Sequence, residues 1–268
     1  MKPIKPMKHI TTLLLIIFSI SIARADIRKF DQATIEKLGV AIYEQDIRAA
    51  TATDMLFAKV TNPVADGLRG WIVEGDAKSM LVRFIRQTDS GFEAYYDVVF
   101  EGKNKPVLQA PKDRKLTAAQ LAQYKARTLA IKNIKRPVSK NYNFVILPDP
   151  EKDGFLVYAL AATTVSTDVM VGGHYRFTIS KDGEKLLQSD ELFKTPMVLS
   201  TKPKGLPPGA SLAALTMTTL VSDMPLETHV YLSLLHKMPF YVGTPNNKKT
   251  QTWKVEKGKI EKVDAPSS

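Results

Sequence analysis

The chain has 268 residues, 44% of them hydrophobic and 24% charged, which is enough apolar material for a sizeable core and excludes a disordered or fibrous protein. It has no cysteine, so disulfides, thiolate metal ligands, a cysteine nucleophile and a lipid-bearing thiol are excluded with it. The formal net charge of +11 is uneven: residues 103–140 hold eleven Lys or Arg against Asp113 alone.

Residues 1–25 read as a secretory signal, because Lys2, Lys5 and Lys8 precede the apolar stretch 13–22 and Ala23-Arg24-Ala25 places small residues at a cleavage site. The expectation is a periplasmic protein with a mature chain from Asp26, carrying 34 basic and 27 acidic residues, a net charge of +7. A bilayer-crossing helix needs about 20 apolar residues, and no such run follows, so no transmembrane segment is expected in the mature chain.

In chain order, Asp31 predicts the N-cap of a helix with Ile35, Leu38 and Ile42 at three-to-four spacing, continuing towards Leu56 with Gly39 as an unfavourable interior residue. Residues 70–74, 80–85 and 92–100 predict a three-stranded antiparallel meander, with Gly75-Asp76 and Asp89-Ser90-Gly91 as turns. Residues 104–116, with Pro106 and Pro111, predict a connector. Thr117 and Gln120 then form a capping box for a helix through Leu121, Tyr124 and Leu129, ended by Pro137. Strands are expected over 143–147, 155–164, 169–180 and 185–193, an exposed loop over 201–211, and a further strand over 212–221. Pro225 can open a helix at its first turn, closed by Pro239, with short strands over 239–244 and 252–256 and a turn at Lys257-Gly258 towards Ile260.

The fold class implied is α+β, with mainly antiparallel sheets and about three packed helices. Its parts are an N-terminal helix and β-meander subdomain over 26–102, a basic connector and helix over 103–140, a β-rich part with one helix over 141–263, and a loose tail over 264–268. No internal repeat at a fixed period is visible.

For chemistry, His174, His229 and His236 are the histidines beyond residue 25. His229 and His236 lie seven apart, about 10 Å along a helix, too far to share one metal ion. A site would need His174 with carboxylates such as Asp223 or Glu227, and no metal or other cofactor is expected. There is no Gly-x-Ser-x-Gly elbow and no phosphate-cradling loop. Gly172-Gly173-His174-Tyr175-Arg176 is the most unusual string: its glycines imply a bulge or close backbone approach, and His174, Tyr175 and Arg176 could present donors to an anionic group. The second lead is the basic stretch, where Arg114, Lys115, Lys125, Lys132, Lys135, Arg136 and Lys140 are expected to form one positive face around the Thr117 helix. Outside the cytoplasm such a face meets lipid phosphates, cell-wall polymers or acidic proteins. No nucleic acid is expected, since Tyr124 and the nearby Tyr142 are too few for a stacking platform.

The strings Val171-Gly172-Gly173-His174-Tyr175-Arg176, Glu227-Thr228-His229-Val230-Tyr231-Leu232-Ser233-Leu234-Leu235-His236, Pro239-Phe240-Tyr241-Val242-Gly243-Thr244 and Trp253-Lys254-Val255-Glu256 together resemble a group of uncharacterised exported bacterial proteins without an assigned activity. The order strand, Ser222-Asp223, helix, strand also resembles the layout of JAB-type isopeptidase-like domains. Those domains need a His-x-His-Pro pair where this chain has Thr216-Met217-Thr218, so the resemblance implies at most a degenerate, inactive relative. Two functions are therefore carried forward. The first is a non-catalytic envelope protein binding an anionic envelope component or an envelope protein through the basic segment. The second is a hydrolase, with or without a metal ion, using His174, Arg176, Asp223, Glu227, His229 or His236.

Overall fold

A computed structural model describes residues 26–263 apart from 77, 208, 247 and 248; the expected signal segment and the tail over 264–268 lie outside the described residues. Asp31 caps α1 (Gln32–Lys59) by accepting the Thr34 N–H at 2.7 Å. The meander follows as β1 (Leu68–Gly75), β2 (Ser79–Thr88) and β3 (Gly91–Glu101), and the expected connector adds a fourth strand, β4 (Val107–Gln109). That strand is three residues long between two prolines, too short for a period-two pattern to betray it. Thr117 and Gln120 form the expected capping box of α2 (Ala118–Lys132).

Then come β5 (Asn141–Pro148), β6 (Phe155–Ala162), β7 (Asp168–Met170), β8 (Tyr175–Ile179) and β9 (Leu186–Glu191). The single strand expected over 169–180 is broken, because Gly173 takes φ 102°. A Cβ there would lie 2.0 Å from Val138 Cγ2, so the bare backbone is what lets the 133–140 connector close over this point. The detached β7 pairs instead with β10 (Val198–Ser200), which the sequence pattern does not announce.

The expected strand over 212–221 shortens to β11 (Leu215–Thr218) and runs parallel to β12 (Phe240–Asn246), with α3 (Glu227–His236) as the crossover; β13 (Lys249–Glu256) and β14 (Lys259–Val263) complete that sheet. Pro225 stands just before the N-cap Leu226 rather than in the first helical turn.

The architecture is α+β, three helices on four mostly antiparallel sheets. Its topology repeats although the sequence shows no period. α1 precedes the meander β1-β2-β3-β4, α2 precedes β5-β6-β8-β9, and α3 precedes β12-β13-β14. Each helix buries an apolar stripe on the meander that follows it: Ala52 and Leu56 of α1 against Val82 and Phe84, Ala126 and Ala130 of α2 against Val157 and Phe177, Val230 of α3 among Phe240, Val242 and Val255. Alternation along β2 turns Val82 and Phe84 to α1 while Ile85, after a register shift, joins the α2 cluster, so the first sheet is covered on both faces. α1, about 42 Å long at 1.5 Å per residue, reaches two of the three core clusters. Gly39, unfavourable by propensity, sits where α3 crosses α1: a Cβ there would come within 2.4 Å of Val230 Cβ.

Candidate functional site

The basic residues divide. Arg114 and Lys115 precede the N-terminus of α2, whereas Lys132, Lys135, Arg136 and Lys140 follow along its C-terminal end, about 22 Å away. Three of the seven meet carboxylates: Arg114 lies 3.6 Å from Glu93, Lys125 2.7 Å from Glu184, and Arg136 3.0 Å from Glu191. Arg136 also lies over the Phe193 ring, 5.0 Å from its centroid. Lys132, Lys135 and Lys140 are exposed and have no carboxylate partner among the described residues.

The histidines divide as well. His174 is buried just before β8, with Nδ1 accepting the Ala161 N–H at 3.0 Å and Nε2 donating to the Met170 carbonyl at 2.7 Å. Burial pushes its pKa down to about 4, so the ring is neutral and both nitrogens serve the backbone around the β7–β8 break. His229 is only 4% exposed. It occupies the third position of α3, and its Nδ1 accepts the N–H of the N-cap Leu226 at 2.9 Å. This is half a capping box with imidazole in the place of Glu or Gln. The bond puts the ring proton on Nε2, and burial, with the nearby His174, pushes the His229 pKa down to about 3. His236 is half-buried two turns along and joins neither ring.

Arg176 is 1% exposed and is consumed internally. Its Nε and Nη2 donate to Asp190 Oδ2 at 3.0 and 2.7 Å, Nη1 donates to Glu227 Oε1 at 2.5 Å, and Nη2 also reaches the carbonyl of Arg28. The Tyr158 hydroxyl donates to the same Glu227 oxygen at 3.1 Å, while Glu227 Oε2 is buried without a partner among the described residues. This cluster fastens residues 28–30 onto the core: Arg28 forks onto Asp149 at 2.5 and 2.8 Å, and both guanidinium groups lie over the Phe30 ring. Asp223 lines a small cavity of about 50 Å³ together with Arg176 and Glu227, but its carboxylate pairs at the surface with Lys29 at 2.9 Å, which holds it below the usual range. Thus Arg176 and Glu227 converge with Asp223 at the edge of the same small cavity, His174 and His229 approach one another, and His236 joins neither group. Among the described residues no group of three or more His, Asp or Glu is placed to hold a metal ion.

Beside the histidines lies a cleft in two compartments. The inner one, of about 220 Å³, is walled by Val171 and Gly172, by residues 192–197 after β9 and by residues 218–220 after β11, with His229 lining it. The outer one, of about 230 Å³, is lined by Lys135, Ser189, Asp190 and Glu191 among others. Lys194 and Leu220 belong to both and form the shared wall. A larger groove of about 960 Å³ lies between α2 and the turns around 149–154 and 180–184. Most charged groups on its rim are already engaged, as in Lys125–Glu184, Lys181–Asp153 and Asp149–Arg28. In the inner compartment His229 Nε2 and the Thr219 hydroxyl have no partner among the described residues, which makes this cleft the better candidate. Sequence reasoning missed Lys194, Thr219 and Leu220; the Gly172-Gly173 string was the one signal pointing there.

No protein-family model matches the chain, and none of the curated proteins matches it. Among solved structures the Bacillus megaterium YpeB C-terminal domain is paired with it at 15% identity over 64% of this chain and 70% of that one, with a TM-score of 0.17, a likeness too low to carry an argument.

Proposed function

We propose that this is an exported, non-catalytic envelope protein that engages an anionic envelope component through the cationic surface at the C-terminal end of α2. The carrying observation is that Lys132, at the last residue of α2, and Lys135 and Lys140, on the connector that follows, stand exposed with no carboxylate partner among the described residues. Unpaired exposed cations of like sign project a field over a Debye length of about 8–10 Å and attract anions in proportion to how weak the salt is. The non-catalytic half of the reading is supported by the engagement of the candidate catalytic groups: His174 uses both nitrogens on backbone, and Arg176 is held between Asp190 and Glu227.

The test is co-sedimentation of the mature protein with isolated bacterial envelopes across a salt series, beside a Lys132→Gln, Lys135→Gln, Lys140→Gln variant. Arg136 is left intact because its charge is already spent on Glu191. Binding should fall with salt and with the triple substitution. Binding indifferent to both would overturn the proposal. Persistence on protein-depleted envelopes would assign the anion to lipid or polymer, and loss there would assign it to an acidic protein.

A further inference from the structure

We infer that the inner compartment beside His229 is a binding site for a small aliphatic carboxylate carrying a neutral carbonyl group, of the class of N-acylated branched-chain amino acids. This goes beyond the cationic surface and stands independently of it. The argument begins with the hydrogen-bond balance of His229. Its Nδ1 is occupied by the Leu226 N–H, so the neutral ring carries its proton on Nε2. That N–H has no acceptor among the described residues, although the residue is 96% buried and lines the cavity. Nor is Nε2 sealed in protein, since it is not among the fully buried side-chain atoms that lack a partner. It therefore opens onto the compartment. Thr219, 7% exposed, lines the same space, and its hydroxyl has no partner among the described residues either. Two buried donors in one lining call for an acceptor, and in a buried setting a neutral carbonyl oxygen costs less to desolvate than a carboxylate.

The remaining walls set the rest of the ligand. Val171, Leu192, Phe193 and Met197 are apolar. A cavity of about 150 Å³ accommodates benzene, so one of about 220 Å³ takes a branched aliphatic chain together with a carbonyl. At the mouth Lys194 is exposed, without a carboxylate partner among the described residues, and Leu220 is 63% exposed beside it. An ammonium group there suits a carboxylate that stays in contact with water. The buried lining therefore combines two donors with apolar walls while the exposed rim carries a cation, and a ligand that joins a carbonyl and an aliphatic group to a carboxylate is its complement.

N-acetyl-leucine is the probe, followed through the ring nitrogens of His229 in ¹H–¹⁵N correlation spectra of the whole mature protein. A saturable shift of His229 Nε2 at millimolar concentrations is expected. His229→Gln keeps the cap, because Gln is an ordinary residue at that helix position. It should leave the unfolding midpoint nearly unchanged and weaken binding roughly tenfold. Lys194→Gln, at an exposed position, should weaken N-acetyl-leucine binding while leaving that of uncharged N-acetyl-leucine amide unaltered. Absence of a saturable His229 shift, or equal loss of both probes in Lys194→Gln, would overturn the inference. Lys132→Gln with Lys140→Gln should not move the His229 titration, so failure at the cleft and failure at the envelope surface are told apart.

Discussion

Replacing Arg176 by Met should destabilise the protein severely, and the structure fixes why. The guanidinium makes four hydrogen bonds, three to the carboxylates of Asp190 and Glu227 and one to the Arg28 carbonyl. Asp190 and Glu227 are 3% and 0% exposed, so deleting the cation leaves two buried carboxylates without their shared counter-ion. Breaking a buried ion pair from one side costs about 3–5 kcal/mol. For a domain of this size that is a fall of roughly 6–20 °C in Tm. The proper control is Arg127→Met. The Arg127 guanidinium lies over the rings of Trp71 and Phe144, 5.2 and 5.1 Å from their centroids, and has no carboxylate partner among the described residues. Its removal exchanges two cation–π contacts for relief of a buried charge and should cost about 1 kcal/mol or less. Urea unfolding followed by circular dichroism measures both. Adding Asp190→Asn and Glu227→Gln to Arg176→Met should recover at least half of the loss. Equal costs for the two arginine variants, or no recovery in the triple variant, would refute the reasoning that uncompensated carboxylates, rather than lost packing, set the penalty.

Gly173→Ala combines a positive φ with a Cβ placed 2.0 Å from Val138, and should cost about 2–4 kcal/mol by thermal unfolding. Thr117→Ala removes the N-cap acceptor of the α2 capping box at Gln120 and should cost about 1 kcal/mol in the same assay. The pH dependence follows from the buried histidines. Their folded pKa values, about 4 for His174 and about 3 for His229, lie below the ordinary 6.5, so below that pH the unfolded chain binds protons the folded chain refuses. Stability is therefore full above about pH 6.5 and falls as the pH drops towards 4, by a few kcal/mol per ring. Asp46, whose pKa burial raises, acts in the opposite direction, so the readout is the difference in slope: urea midpoints between pH 6.5 and 4 should fall less steeply in His229→Gln than in the parent, and equal slopes would contradict the assignment.

What the sequence made legible was whatever a local pattern encodes. Asp31 and the Ile35–Leu38–Ile42 spacing gave α1, Thr117 with Gln120 gave α2, and the Gly-containing turns gave the first meander. What stayed hidden depends on distant partners. β10 exists because β7 is there to pair with it, and β7 is a separate strand because Gly173 yields to Val138, 35 residues earlier in the chain. The parallel pairing of β11 with β12 is likewise a consequence of the α3 crossover, not of any residue within either strand. The site residues followed the same division. Residue type singled out His174, Arg176, Glu227 and His229, but residue type does not say whether a polar group is left free. Of those four, His229 alone keeps a donor facing a cavity, and the reason lies in Leu226, an N-cap that has no side-chain acceptor and takes the ring's other nitrogen.

The place of the cleft follows from where the repeated topology is broken. The first and third units run helix and then uninterrupted meander, whereas the second is opened twice: between β6 and β8, where β7 leaves the sheet, and after β9, where the chain departs to form β10. Both detours wall the inner compartment, through Val171 and Gly172 from the first and residues 192–197 from the second. The start of the third unit closes it, through residues 218–220 and the first turn of α3. Segments that leave a repeated scaffold without adding to its sheet give up ladder hydrogen bonds, and what they gain here is a concave surface with unpaired donors. The connector bearing Lys135 lies against the same break, through Val138 at Gly173 and Arg136 at Glu191, so the cationic surface and the cleft are adjacent products of one interruption.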